Sequence, residues 1–224
     1  MKVATLLFVV AAGPIGLAAQ SVRGRLQGRV PESAIAAVDS LVRAAEMESL
    51  PSDPLVKKAL EGGAKGVSAD RIVLAVRQTA GQLHDARALL RRGQAGEPSA
   101  DEIASVAAAL GRGVPTPLGE RMASALPGEP MGPALHAVAD LVGHGFAQDS
   151  AVDLVVTAGQ KGMRGLRLLD VASAAVAELQ RGRTHAQAIA DVRGGLPDVP
   201  SAPPAAPGVL NRLRRPPQGV RSPS

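Results

Sequence analysis

The feature that most constrains this chain is an aliphatic interior with almost no aromatic residues. Hydrophobic residues make up 46% of the sequence, yet Trp, Tyr and Cys are absent and Phe occurs only twice. A buried large aliphatic side chain contributes roughly 1.5–3 kcal/mol, and Ala, which has little surface to bury, has the highest helix propensity. Aromatic residues are typical of strands. The composition therefore predicts an all-α protein of closely packed helices.

A helix–turn–helix pattern over residues 55–76 recurs in weaker form along the chain. In each copy an Ala/Leu-rich helix is followed by a glycine, a short polar or apolar turn and a second helix. The turns fall at Gly66-Val67, Gly113-Val114, Gly145-Phe146 and Gly182-Arg183-Thr184. The intervals between these glycines are 47, 32 and 37 residues, and unequal intervals argue against a solenoid of fixed period. We therefore predict an irregular array of short, Ala-rich helical hairpins with disordered ends, the hairpins occupying residues 31–193.

Local signals place several helices within that region. Residues spaced by four and three positions predict one long helix with a narrow apolar seam, namely Ile72, Val76, Thr79, Leu83, Ala86 and Leu90. Gly81 interrupts this helix and is expected to admit a close neighbouring helix, since it has no side chain. Capping boxes predict two further helix starts, and their residues are Ser99 with Glu102 and Thr184 with Gln187.

The two ends of the chain differ from its body. Residues 1–19 combine Lys2, an apolar run and a small-residue end, the layout of a secretory signal peptide cleaved near Ala18 or Ala19. Residues 20–30 are predicted to be a flexible basic arm. Residues 194–224 contain eight of the 18 prolines and are predicted to be a disordered basic tail. The leader predicts export to a bacterial periplasm or the extracellular space, without disulfides and with no transmembrane segment once the leader is removed.

The positive charge is concentrated in these ends. The formal net charge is +5, but eight of the 25 basic residues and only one of the 20 acidic residues lie outside residues 30–194. That region therefore carries 17 basic and 19 acidic side chains. A surface with this balance is not one that attracts nucleic acid.

The first copy of the pattern, through Gly66-Val67-Ser68 and Ile72, resembles the helix-turn-helix of bacterial DNA-binding domains. The resemblance covers about 20 residues around the turn. It implies that the second helix would read bases in the major groove. That helix offers few polar side chains for reading bases, and Asp70 near its start would face phosphate. A tight corner between two helices that needs a glycine is the favoured interpretation.

No motif predicts a catalytic, cofactor-binding or metal-binding site. The four histidines are His84, His136, His144 and His185, and no pair has helical metal-ligand spacing. His136 and His144 flank one short predicted helix and are expected to be able to approach each other around its end. The glycine-rich segment 159–165 lacks the spacing and the preceding strand of a phosphate-binding loop, and is interpreted as an interhelical loop.

The expected function is that of an exported, non-enzymatic structural or protein-interaction module. Its partner would be another protein or an anionic cell-envelope surface, and no cofactor is expected. In the tail, Arg212, Leu213, Arg214 and Arg215 form the candidate interaction patch. The alternative is an enzyme whose site lies near the 143–149 turn. The third hypothesis is a helix-turn-helix DNA-binding protein.

Overall fold

A computed structural model describes residues 21–93, 96–196 and 198–199. It is 74% helical, and the described residues contain no strand, which confirms the predicted all-α class. Ten helices occur in this part of the chain: α1 Val22–Leu26, α2 Glu32–Met47, α3 Asp53–Ala64, α4 Ala69–Gly93, α5 Ala100–Gly111, α6 Thr116–Ala125, α7 Met131–Gly143, α8 Gln148–Gln160, α9 Arg167–Gln180 and α10 His185–Gly194.

Contacts divide the chain into two compact units between His84 and Asp85, within α4. The sequence predicts a single domain over residues 31–193, and this division into units does not test that prediction. In the first unit, α1, α2 and α3 all contact one another. The core of this unit is aliphatic, as the composition requires, and its fully buried members include Leu26, Ile35, Val38, Val42, Leu55, Ala59, Ile72, Val76 and Leu83.

The N-terminal arm differs from the sequence-based expectation. Where a flexible segment is predicted over residues 20–30, Val22–Leu26 form α1, capped by the Ser21 side chain. Leu26 is completely buried, and Arg25 donates to the Asp53 carboxylate on α3 at 3.1 Å. A five-residue helix has little stability of its own. The burial of Leu26 stabilises this segment, and no local sequence pattern predicts that burial.

In the second unit, each helix packs on the helix two positions further along the chain. One row contains α5, α7 and α9, and the other contains α6, α8 and α10. Contacts between α7 and α8, α8 and α9, and α9 and α10 join the two rows. The C-terminal end of α4 packs on α6 of the second row, because Leu89 lies against Gly119. Both predicted capping boxes are confirmed, at the starts of α5 and α10.

Close approach of helices depends on glycines other than the predicted one. A Cβ atom added to Gly81 would meet nothing within 4 Å, so the expected close neighbour at Gly81 is wrong. By contrast, a Cβ on Gly63 would lie 2.0 Å from the Arg29 carbonyl oxygen, and one on Gly119 would lie 2.4 Å from Leu89 Cδ1. Gly159 is similarly enclosed, with Leu126 Cδ2 at 2.6 Å. The glycines that permit tight packing thus lie on α3, α6 and α8.

The described residues that follow α10 pack back on α9. Leu196 and Val199 are buried, at 6% and 5% exposure. The guanidinium of Arg167, at the start of α9, donates to the Val199 carbonyl oxygen at 2.8 Å. The predicted tail boundary at residue 194 is therefore too early, because the folded unit includes Leu196 and Val199.

Candidate functional site

The tail patch proposed from sequence, Arg212–Arg215, lies outside the described residues. Polar side chains meet in several places among the residues that the structure describes. These places include the turn between α7 and α8, a cleft beside α6, and a groove between α3 and α4.

The turn between α7 and α8 holds one imidazole rigidly. Gly145 follows the helix with a φ of 87°, and the Phe146 N–H reaches back to the Leu141 carbonyl oxygen at 3.1 Å. This is the backbone geometry of a glycine-terminated helix. His144 caps α7, and its Nδ1 lies 2.8 Å from the Asp140 carbonyl oxygen. Since a carbonyl only accepts, Nδ1 is the donor in this contact.

A second imidazole, His185, meets this turn. Its Nε2 lies 3.1 Å from the His144 carbonyl oxygen. Its ring packs edge-on against Phe146, with centroids 4.7 Å apart and planes at 82°. Phe146 itself is only 3% exposed. A Cβ atom on Gly145 would lie 3.2 Å from His185 Nε2. Glycine therefore both permits the turn and leaves room for the ring.

The sequence expectation of a His136–His144 approach is wrong. His136 lies inside α7, eight residues before the cap, which corresponds to about 12 Å along the helix axis. Burial is the main factor that lowers the pKa of His136, and the nearby Arg112 guanidinium adds to it. A hydrogen bond to the Ser105 backbone and the Asp140 carboxylate act in the opposite direction. The structure thus brings His185, not His136, to the 143–149 turn.

His185 was missed because its partner is 41 residues away in sequence. The available signal was indirect. The Thr184–Gln187 capping box places His185 at the first position of α10, and Gly145 and Gly182 mark turns at equivalent points of successive helix pairs. Chemically, the arrangement orients two imidazoles through backbone carbonyls. Each ring uses one nitrogen for a backbone contact, which leaves its other nitrogen for a further hydrogen bond at an exposed turn.

A cleft of about 390 Å³ lies between the end of α4 and α6. An ion pair between Arg92 and Glu120 borders it. Its volume is in the range of small-ligand pockets. The lining residues are Leu89, Arg92, Gly93, Glu120, Ala123, Ser124 and Pro127. Its polar side chains have partners, since Arg92 pairs with Glu120 and the Ser124 hydroxyl donates to the backbone carbonyl oxygen of Glu120 at 3.0 Å.

A smaller groove of about 170 Å³ lies between α3 and α4, at the turn that resembles a helix-turn-helix. Its apolar lining is Gly62, Val67, Ile72 and Ala75, and its charged lining is Lys58, Glu61, Lys65 and Arg71. The second helix of this corner is α4, which runs for 25 residues with Asp70 in its first turn. Ile72 and Val76, two positions of the predicted seam, are buried in the core.

Sequence reasoning also missed a buried carboxylate at the glycine-rich segment 159–165. Glu129, in the loop before α7, is 3% exposed. It accepts from the Arg164 guanidinium at 3.1 Å and from the Gly165 backbone N–H. Because the Gly165 N–H already donates to the buried Glu129 carboxylate, this N–H does not contribute to a phosphate-binding loop. Glu129 instead ties the α6–α7 loop to the α8–α9 loop.

The described residues contain neither a membrane-spanning helix nor a metal-binding cluster. Within the described ranges, no helix combines the length and the apolar character needed to cross a membrane. Nor does this part of the chain gather three or more His, Asp or Glu side chains around a point that a metal ion could occupy. Nδ1 of His84 lies 3.4 Å from the Glu48 carboxylate.

Comparison with protein-family models, with curated proteins and with solved structures finds no match to this chain.

Proposed function

We propose that this chain is an exported, non-enzymatic structural or protein-interaction module. The single observation that carries the proposal is the repeated packing of each helix on the helix two positions along, from α5 to α10. Stacked helix pairs of this kind build extended surfaces on which partners bind, and the scaffold itself needs no catalytic group. The partner would be another protein or an anionic cell-envelope surface.

Side-chain contacts support a repeated architecture of helical hairpins. Ion pairs join residues 28 positions apart in both rows of the second unit. Arg112 meets Asp140 at 2.9 Å, and Arg121 meets Asp149 at 2.9 Å. Arg92 pairs with Glu120 across the same separation. Because an exposed pair stabilises by only about 0.2–1 kcal/mol, we interpret these pairs as a charged, hydrated surface that follows the helix rows.

Export is supported by the leader pattern over residues 1–19. Two measurements test it together. Fractionation of the native host should find the protein outside the cytoplasm, and mass spectrometry should find a mature N-terminus near residue 19 or 20. A cytoplasmic protein that retains Met1 would overturn export, and the DNA-binding hypothesis would gain weight.

The contribution of the tail is tested by truncation after Val199, since an earlier cut would remove the buried residues Leu196 and Val199. Partner capture by the full chain is compared with capture by the truncated chain and by Arg212→Glu/Arg214→Glu/Arg215→Glu. Loss in both variants would assign binding to the tail patch. Equal capture by all three proteins would remove the tail from the proposal and leave the helical surface.

An enzyme with a site near the 143–149 turn is the second candidate. The observation in its favour is the pair of oriented imidazoles, His144 and His185. The discriminating variants are His144→Ala and His185→Ala, with exposed His84→Ala as the matched control. A hydrolytic activity abolished by the first two and kept by the third would overturn the non-enzymatic proposal.

DNA binding ranks third, because Asp70 lies in the first turn of the would-be recognition helix.

A further inference from the structure

We propose that the groove between α3 and α4 is a docking site for an acidic, apolar-faced segment of a partner protein. This inference rests on the proposed interaction-module function and names one surface through which it would act. The groove is lined from the first unit alone, by residues of α3, the turn and the first two turns of α4.

The floor of the groove is apolar and fixed by close packing. Ile72 is 1% exposed, and Val67 and Ala75 are partly exposed beside it. A Cβ atom on Gly62 would lie 2.7 Å from Ile72 Cγ1, so glycine is what allows α4 to lie this close to α3. Leu74, one position before Ala75, is 53% exposed. Apolar surface is therefore available both in the groove and beside it.

The rim is positively charged. Three cations, Lys58, Lys65 and Arg71, line the groove against one acid, Glu61. Glu61 lies between the two lysines, 3.2 Å from Lys58 Nζ and in a closer pair with Lys65. Hydrogen bonds from Lys65, and to a smaller extent from Lys58, lower the pKa of the Glu61 carboxyl. Glu61 therefore stays ionised and paired with both lysines. None of the ion pairs among the described residues involves Arg71.

These features favour an acidic peptide over other anionic partners. An arginine that has no ion pair with any described residue, beside an apolar floor, matches a segment that carries a carboxylate next to an apolar side chain. A DNA backbone would have no apolar group to place on the floor. A membrane surface is flat, whereas the apolar floor here lies between charged rims.

The carboxylate of the partner competes with Glu61 for the lysines, and this competition gives the proposal a distinctive test. The probe is a labelled helical peptide of glutamate and leucine, measured by fluorescence anisotropy with the full chain. Arg71→Glu should weaken binding tenfold or more, because it reverses the unpaired rim charge. Glu61→Gln should strengthen binding roughly two- to fivefold, since it releases both lysines. A purely structural role for Glu61 would not produce tighter binding.

Three controls complete the design. Arg77→Glu makes the same charge change on the same helix, outside the groove lining, and should have little effect. Ala75→Gln adds bulk to the floor without charge and should weaken binding several-fold. A lysine and leucine peptide, duplex DNA and anionic phosphatidylglycerol vesicles replace the acidic peptide in parallel titrations. Circular dichroism of each variant should be unchanged.

The groove proposal is overturned if the acidic peptide binds no tighter than the basic one, or if Arg71→Glu and Arg77→Glu act equally. It is also overturned if DNA or vesicles bind while the acidic peptide does not. The groove proposal can also fail while the proposed function stands. A chain that captures a native partner equally well with and without Arg71→Glu keeps the interaction-module function and loses only this groove.

Discussion

Replacement of Gly81 by alanine should stabilise the protein. Gly81 lies in the middle of α4, is exposed, and has open space where a Cβ would be. Glycine within a helix costs roughly 0.5–1 kcal/mol relative to alanine, through backbone entropy. With no steric cost to offset this gain, the free energy of unfolding should rise by about that amount. For a chain of this size the midpoint temperature should rise by about 1–4 °C.

The assay is urea denaturation followed by circular dichroism, with thermal melts in parallel. Two matched variants bracket the result. Ala88→Gly, at an exposed position of the same helix, should lower stability by roughly 0.5–1 kcal/mol. Gly63→Ala should lower it by about 1–3 kcal/mol or more, because the new Cβ would lie 2.0 Å from the Arg29 carbonyl oxygen. Destabilisation by Gly81→Ala would refute the reasoning, since it would mean that a neighbouring element packs on this glycine.

Three further predictions follow from other contacts. Glu129→Gln should cost about 1–3 kcal/mol of stability in urea denaturation, because a buried amide cannot replace the charged contacts to Arg164 and Gly165; a loss no larger than that of exposed Glu120→Gln would contradict this. His136 has a pKa below its ordinary value of 6.5, so its contribution to stability is complete above that pH and is lost as the pH falls through the lower, folded value. His136→Gln should therefore flatten the fall in unfolding free energy below pH 6.5, and an unchanged pH profile would contradict the assignment. Arg121→Ala should cost less than about 1 kcal/mol and nothing measurable in high salt.

Local sequence signals predicted the elements that depend on local physics. The capping boxes at Ser99 and Thr184 begin α5 and α10, because each pairs a hydroxyl with a side chain three residues later. Helix α7 begins at Met131, two residues before Pro133. Pro133 falls in the first turn, where backbone N–H groups have no helical partner, so proline is tolerated there.

Features that depend on distant contacts were not predictable in this way. Leu26 orders α1 only by burial among residues later in the chain. Glu129 is an ordinary loop acid in sequence, and its burial depends on Arg164 and Gly165, 35 and 36 residues away. The meeting of His185 with the 143–149 turn likewise requires α10 to pack on α8 and α9. A single sequence gives the positions of such residues but not their neighbours.

The central claim is that this chain functions by presenting the groove between α3 and α4 to an acidic segment of a partner protein. The most direct measurement is site-specific photo-crosslinking in the native host, with the photoreactive residue placed at Ala75 in the groove floor or at exposed Gly81 as the control. We predict a discrete adduct from position 75 whose crosslinked peptide is acidic, and none from position 81. No adduct from position 75, or the same adducts from both positions, would contradict the claim.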